Sequence, residues 1–172
     1  MHRLVPLSDL FIVTCEILLL GLLIVGAGFD IVKFRLPNWL TGTTALLALP
    51  WLLLSVPAWP DFGLHLAAGL LFMAIGILAL RFDLMGGGDV KCLAALAVWV
   101  GLSLDLVRLL MLTGFAGGIL AGIMLLLGRF GVTYGIQDGK RHLPYGVAIA
   151  LAGLDFWFRR GHLGQQIAAL WG

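Results

Sequence analysis

Six apolar runs, at residues 10–29, 39–56, 62–80, 90–104, 106–127 and 143–158, take up most of this chain and decide what it can become. A helix that crosses hydrocarbon needs about 20 mostly apolar residues, because in lipid each backbone N–H and C=O must be satisfied within its own segment. Six crossings consume roughly 120 residues, which leaves only short connections in a chain of 172. The expected fold is therefore all-α: a polytopic membrane protein of about six transmembrane helices, one integral domain over residues 1–172. The fourth run is short for a crossing and its break from the fifth is brief, so five helices with one bent hairpin is the alternative. The first run is too long for a signal-peptide core and has no small-x-small cleavage site, so it reads as a retained span.

Composition enters here because it bounds the partners. The chain is 61% hydrophobic and 12% charged, against about half and about a quarter in soluble domains. Eleven Lys and Arg residues, scattered along the chain, do not make a nucleic-acid surface, so the lipid bilayer is the expected surrounding and no nucleic-acid partner is expected. Lys33, Arg35, Arg81, Lys91, Arg129, Lys140 and Arg141 fall on one face of a six-span topology, and Arg3, Arg108, Arg159 and Arg160 on the other. Basic loops stay cytoplasmic, which puts connections 30–38, 81–91 and 128–142 inside, with the Arg159–Arg160 pair pulling the other way. Cys15 and Cys92 have no C-x-x-C partner and read as small wall residues, so no disulfide, zinc site or redox pair is expected. Gly114, Gly117, Gly118 and Gly122 put small residues at three- and four-residue spacings, read as an internal packing surface with a homodimer seam as the alternative.

An ionisable group at membrane depth is expensive, so each carboxylate has to be placed. Asp9, Asp61 and Asp105 fall at external edges, and Asp83 and Asp138 in cytoplasmic connections. Asp105 with Arg108, and Asp155 with Arg159, stand at spacings that pair on one helix. Glu16 lies inside the first span without a basic neighbour at helical spacing. It is expected to face the bundle interior, bonded to another helix, with a proton-relay or substrate contact as the sharper reading.

Asp30 and Asp89 remain, each at a junction between an apolar run and a helix-breaking segment. Two spans lie between them, and an even number of crossings returns the chain to the same membrane face whichever way it is oriented. Glu16 stands roughly 21 Å from Asp30 along a straight helix and is not a third member. Before Asp89 run Gly86, Gly87 and Gly88, which are expected to leave backbone exposed, where an extended peptide can pair with it. After Asp30, Pro37 halts the helix and a new span begins at Asn38 or Trp39. Lys33 and Arg35 either anchor at the interface or bind a substrate carboxylate, and Lys91 follows Asp89 closely. Two carboxyl groups in a partly desolvated site do not both ionise easily. The charged one can take a proton from water attacking a peptide carbonyl, while the protonated one donates to the oxyanion. Ser8, Ser55 and Ser103 fall on the side away from His142, so a Ser-His arrangement is hard to assemble.

These residues resemble the type IV prepilin peptidases, membrane aspartic proteases with a G-x-G-D motif. Asp30 followed by Arg35-Leu36-Pro37-Asn38 is similar to the family's first motif, and Gly86-Gly87-Gly88-Asp89-Val90-Lys91 to its second. A third segment, Leu143-Pro144-Tyr145-Gly146, resembles the family's entry into the last span. The resemblance covers residues 18–154. It implies Asp30 and Asp89 as the catalytic pair, with Gly86, Gly87, Gly88, Lys91, Lys33, Arg35, Pro37 and Asn38 as substrate-binding or loop-supporting residues. It also implies the leader peptides of pilins and pseudopilins as substrate, no cofactor or metal, and a multi-pass protein of the bacterial inner membrane with its site toward the cytoplasm. The paired-cysteine segment of bifunctional members is missing, which implies peptidase activity without N-methylation. The size is similar to the short TadV/CpaA type that serves tight-adherence (Flp) pili. Cys92 stands where the family often has leucine. The presenilin and signal-peptide-peptidase group fits less well, since Phe29 rather than tyrosine precedes Asp30.

The competing class is a non-enzymatic membrane protein, a small transporter or a pilus-assembly scaffold, in which Asp30 and Asp89 bind a cation or pair with Lys33 and Lys91. A metal hydrolase is a third reading, poorly supplied because His142 is the only nearby imidazole.

Overall fold

The structure, a computed structural model, describes residues 6–56, 59–82, 85–131, 134–137, 140–162 and 164–165. Arg3, Asp83 and Asp138 lie outside the described residues. Six helices follow the six apolar runs in order: α1 (Leu7–Lys33), α2 (Asn38–Ser55), α3 (Trp59–Arg81), α4 (Gly87–Val100), α5 (Leu104–Arg129) and α6 (Tyr145–Arg160). A two-residue antiparallel pair, β1 (Ile136–Gln137) with β2 (Lys140–Arg141), sits between α5 and α6. The all-helical expectation holds apart from that small hairpin.

The six-span count meets a length limit. α1, α3 and α5 are long and apolar enough to cross a bilayer, but α4 has 14 residues and α6 has 16. At 1.5 Å per residue, α4 covers about 21 Å of a hydrocarbon core ~30 Å thick. The fourth and fifth runs are nevertheless separate helices, because the chain turns at Gly101 with φ 71°, backbone that a side chain disfavours.

Helix ends follow from the prolines. Pro6, Pro37 and Pro144 stand immediately before α1, α2 and α6 in non-helical backbone, where a missing N–H costs nothing and the ring blocks the helix upstream. The Pro37 carbonyl accepts from the Leu40 and Thr41 amides at 3.1 and 3.4 Å, which starts α2 at Asn38. Inside the helices, buried Thr44 and Thr113 return their hydroxyls to the Leu40 and Leu109 carbonyls at 2.9 and 2.8 Å. That satisfies a polar group where no water reaches.

α4 is the centre of the bundle. It packs against α2, α3 and α6, while α1 packs on α2 and α6, and α5 on α6. Nearly every α4 residue from Val90 to Val100 is buried. Its Ala94, Ala95 and Ala97 meet a core that includes Ala48, Ala68, Ala148 and Ala152, the small-residue contact on which helices in lipid rely. Trp99 Nε1 donates to the Thr44 carbonyl at 2.9 Å and its ring lies 5.1 Å from that of Trp51. Large side chains such as Ile24, Leu53, Leu70, Met111 and Phe115 point outward. Cys15 and Cys92 are free and buried.

Two local readings change. Arg108 does not pair with Asp105 on its own helix but forks onto Asp155 of α6, both bonds at 3.0 Å. Asp105 instead takes Arg159 at 2.9 Å and Arg160 at 2.8 Å, and Arg159 also holds Asp155 at 3.1 Å, as its four-residue spacing allows. Across-helix partners win because a planar guanidinium matches a facing carboxylate better than one a turn away. The α5 glycines do not form one internal seam either: Gly117 lies against the Tyr145 ring, but nothing lies near Gly114, Gly118 or Gly122. Glu16 is buried as expected, accepting from the His162 amide at 3.1 Å and from Trp51 Nε1 at 3.4 Å.

Candidate active site

Asp30 sits in the last turn of α1 and is 3% exposed. One residue past the helix end, Phe34 adopts left-handed backbone at φ 50° and donates its N–H to the Asp30 carbonyl at 2.9 Å. A bulky residue rarely holds that conformation. Tyr134 helps to fix it: its hydroxyl donates to the Ile31 carbonyl at 2.7 Å and its ring lies 5.2 Å from that of Phe34.

The side chain of Asp30 is held from α6. The Gly146 N–H donates to Asp30 Oδ2 at 2.5 Å, while the next amide, Val147, bonds the Pro144 carbonyl at 3.2 Å. Gly146 is a first-turn residue whose amide has no partner inside its own helix, so α6 presents a donor where α1 presents an acceptor. A Cβ on Gly146 would stand 2.9 Å from Asp30 Oδ2 and 3.1 Å from Asp30 Cβ. Only a residue without a side chain lets the two elements meet this closely.

Asp89 lies half-buried in the first turn of α4. Its carboxylate lies against Gly86, the residue capping that helix, where an added Cβ would stand 2.8 Å from Asp89 Oδ2, the reach expected of an acidic residue three positions into a helix. The glycines are thus not all loop, as their sequence suggests: Gly86 caps, and Gly87 and Gly88 are already helical. Gly88 has a packing reason, since a Cβ there would stand 3.0 Å from Leu36 Cβ and 3.3 Å from the Leu36 nitrogen and oxygen. The turn after α1 lies directly on the start of α4, and that contact puts Asp30 and Asp89 in the wall of one pocket.

Both aspartates line one open pocket of about 610 Å³, together with Gly86, Gly87, Gly88, Lys33, Arg35, Pro37, Asn38 and Lys91. All ten residues singled out from the sequence therefore fall in a single place. Among the described residues no salt bridge reaches either aspartate. Lys33 places its ammonium 5.1 Å from the Phe29 ring centre, and Lys91 donates to Asn38 Oδ1 at 2.8 Å. The ion pairing required by one non-enzymatic reading is thus absent among the described residues. Phe29, Phe34, Leu36 and His142 complete the lining.

A family model, that of the type IV leader peptidase family, matches residues 17–126, more than half of the chain and both aspartates. The chain belongs to the type IV leader peptidase family. No curated protein and no solved structure matches it. In this leader peptidase, Gly146 and Tyr134 lie beyond the matched residues, yet both act on the end of the helix that carries Asp30. The signal for Gly146 was present as Pro144-Tyr145-Gly146, a proline that must precede a helix followed by a residue with no side chain. Nothing in the sequence announces Tyr134. What the site offers chemically is two carboxyl groups, one enclosed and one reachable, beside a pocket wide enough for a peptide backbone.

Proposed function

We propose that this leader peptidase cuts prepilin or pseudopilin leader peptides by aspartic-protease hydrolysis, with Asp30 and Asp89 as the catalytic pair. The observation that carries the reading is two aspartates from helices 1 and 4, facing one pocket without cationic partners. Carboxylates kept apart from lysine and arginine can share a proton between them. The ionised one takes a proton from water as the oxygen attacks the peptide carbonyl, and the protonated one donates to the developing oxyanion. When the C–N bond breaks, the carboxyl that took the water's proton passes it to the leaving amine and a hydroxyl of the tetrahedral diol returns its proton to the other carboxylate, so the pair ends as it began with one proton. Gly86, Gly87 and Lys91, with the 35–38 turn opposite, supply the surface along which an extended leader lies.

The excess of lysine and arginine at the aspartate end supports cleavage at the cytoplasmic face of the bacterial inner membrane. In this reading the chain is a single multi-pass domain acting on Flp-type prepilins, without a nucleic-acid partner. The test is co-expression of a prepilin with wild type, Asp30→Asn or Asp89→Asn, followed by mass measurement of the pilin. Wild type shortens it and neither variant does; full processing by either variant removes the assignment.

A further inference from the structure

A second cavity, about 660 Å³ and almost wholly apolar, opens on the flank of the bundle. Its walls are α2 and α3, and its floor is α4. α2 and α3 are consecutive, yet each packs on α4 rather than on the other, so a furrow runs between them. Thr41, Gly42 and Ala45 line one wall, Gly69 and Met73 the other, and Ala94 belongs to the floor. The α2 wall runs from Asn38 to Ala45 and the floor from Lys91 to Val98. Each is about 10 Å, or two helical turns, long.

The groove adjoins the aspartate pocket. Asn38 and Lys91 line both cavities, and the 2.8 Å bond from Lys91 Nζ to Asn38 Oδ1 is the threshold between them. A chain whose cut bond lies at the aspartates can continue past this pair into the groove. On one side of the threshold it meets glycine backbone and carboxylates, which suit an extended polar strand. On the other it meets alanine, glycine and threonine, the residues that admit another helix backbone closely in lipid, beside the larger Leu66, Leu70, Met73 and Val98.

We propose that the α2–α3 groove holds an apolar helical segment of the substrate, two turns deep, while the adjoining leader is drawn out as a strand to Asp30 and Asp89. This rests on the peptidase reading above and deepens it. The Lys91–Asn38 bond then marks where the substrate changes from helix to strand. A lipid chain is the competing occupant.

The experiment compares two substrates: a full prepilin in lipid vesicles, and a short peptide holding the leader and the few residues after the cut. An added Cβ at Gly42 meets nothing within 4 Å, so Gly42→Leu fills the groove without disturbing the bundle. The ratio of prepilin to short-peptide cleavage is expected to fall about tenfold, the loss of ~1.4 kcal/mol of selective binding. Gly118→Leu on α5, equally open, leaves the ratio unchanged. A photo-crosslinker at position 73 in the Asp89→Asn protein captures the prepilin. An unchanged ratio in Gly42→Leu, or capture of lipid alone with prepilin present, overturns the inference. Wild-type protein that cuts neither substrate overturns the peptidase reading itself, and this inference with it.

Discussion

Replacing Gly146 with alanine tests whether α6 holds Asp30 in place. The new Cβ would lie 2.9 Å from Asp30 Oδ2 and 3.1 Å from Asp30 Cβ and Cγ, where comfortable carbon contacts are about 3.5–4.0 Å. Relief requires the end of α1 and the start of α6 to separate by roughly 0.5–1 Å. Such overpacking costs about 1–3 kcal/mol. The same movement lengthens the 2.5 Å bond from the Gly146 amide to about 3.0–3.5 Å, past the good range only at its upper end, and a bond to a carboxylate is worth about 1.5–3 kcal/mol. Activity suffers more than folding, because a catalytic group displaced by about 1 Å can lose ~10²-fold in rate. The expectation is a fall of about 10- to 100-fold in leader removal per folded molecule, measured as initial rate on prepilin in vesicles beside a thermal unfolding curve. Gly118→Ala is the matched control, since nothing lies near its added methyl. A folded Gly146→Ala protein that cuts within about twofold of wild type would refute the view that the Gly146 amide positions Asp30.

Two further expectations separate the frame from the chemistry. Trp99→Phe removes the 2.9 Å bond to the Thr44 carbonyl but keeps most of the ring volume. Stability should fall by about 1 kcal/mol, read from unfolding in detergent, with leader cleavage preserved; no shift in the midpoint would mean that this bond does not tie α4 to α2. Arg159→Ala deletes the one side chain that joins Asp105 to Asp155, partly exposed and therefore worth about 1–2 kcal/mol. Because the network lies at the opposite end of the bundle, the unfolding midpoint should drop and become less sensitive to salt, with no change in cleavage rate.

Most of the architecture was legible because in lipid the apolar runs are nearly the helices themselves: the breaks read at Pro37, Gly86 and Pro144 fall at observed helix boundaries, whereas the fourth run, read to residue 104, ends at Val100 because the chain turns at Gly101. Asp30 and Asp89 were legible for the same reason, since counting crossings puts them on one face. Other features were hidden in tertiary detail. Whether Arg108 takes Asp105 or Asp155 depends on how α5 faces α6, which no spacing along α5 encodes. The three glycines before Asp89 look like a loop because their propensity is poor. Gly87 and Gly88 are nevertheless helical, and at Gly88 close packing on Leu36 leaves no room for a side chain. Tyr134 stands 103 residues from the carbonyl it holds, and a long-range bond of that kind leaves no periodic trace.

The brevity of α4 raises the question of which end comes up short, and its neighbours answer it. Gly69 and Gly76 of α3, seven residues apart, face Val98 and Val90 of α4, and Gly87 faces Leu80. At the other end His65 Nδ1 meets the Val98 carbonyl at 2.8 Å, and the Leu102 amide donates to the Leu64 carbonyl at 3.3 Å. The antiparallel register is therefore fixed along the whole of α4. It starts level with the last turn of α3 and stops a turn or more inside the start of α3 at Trp59. The missing length falls on the side of the Arg159 network, away from the pocket. That placement keeps Asp89 level with the end of α1, where Asp30 waits, so the smallest helix of the bundle is short only where shortness does not separate the two acids.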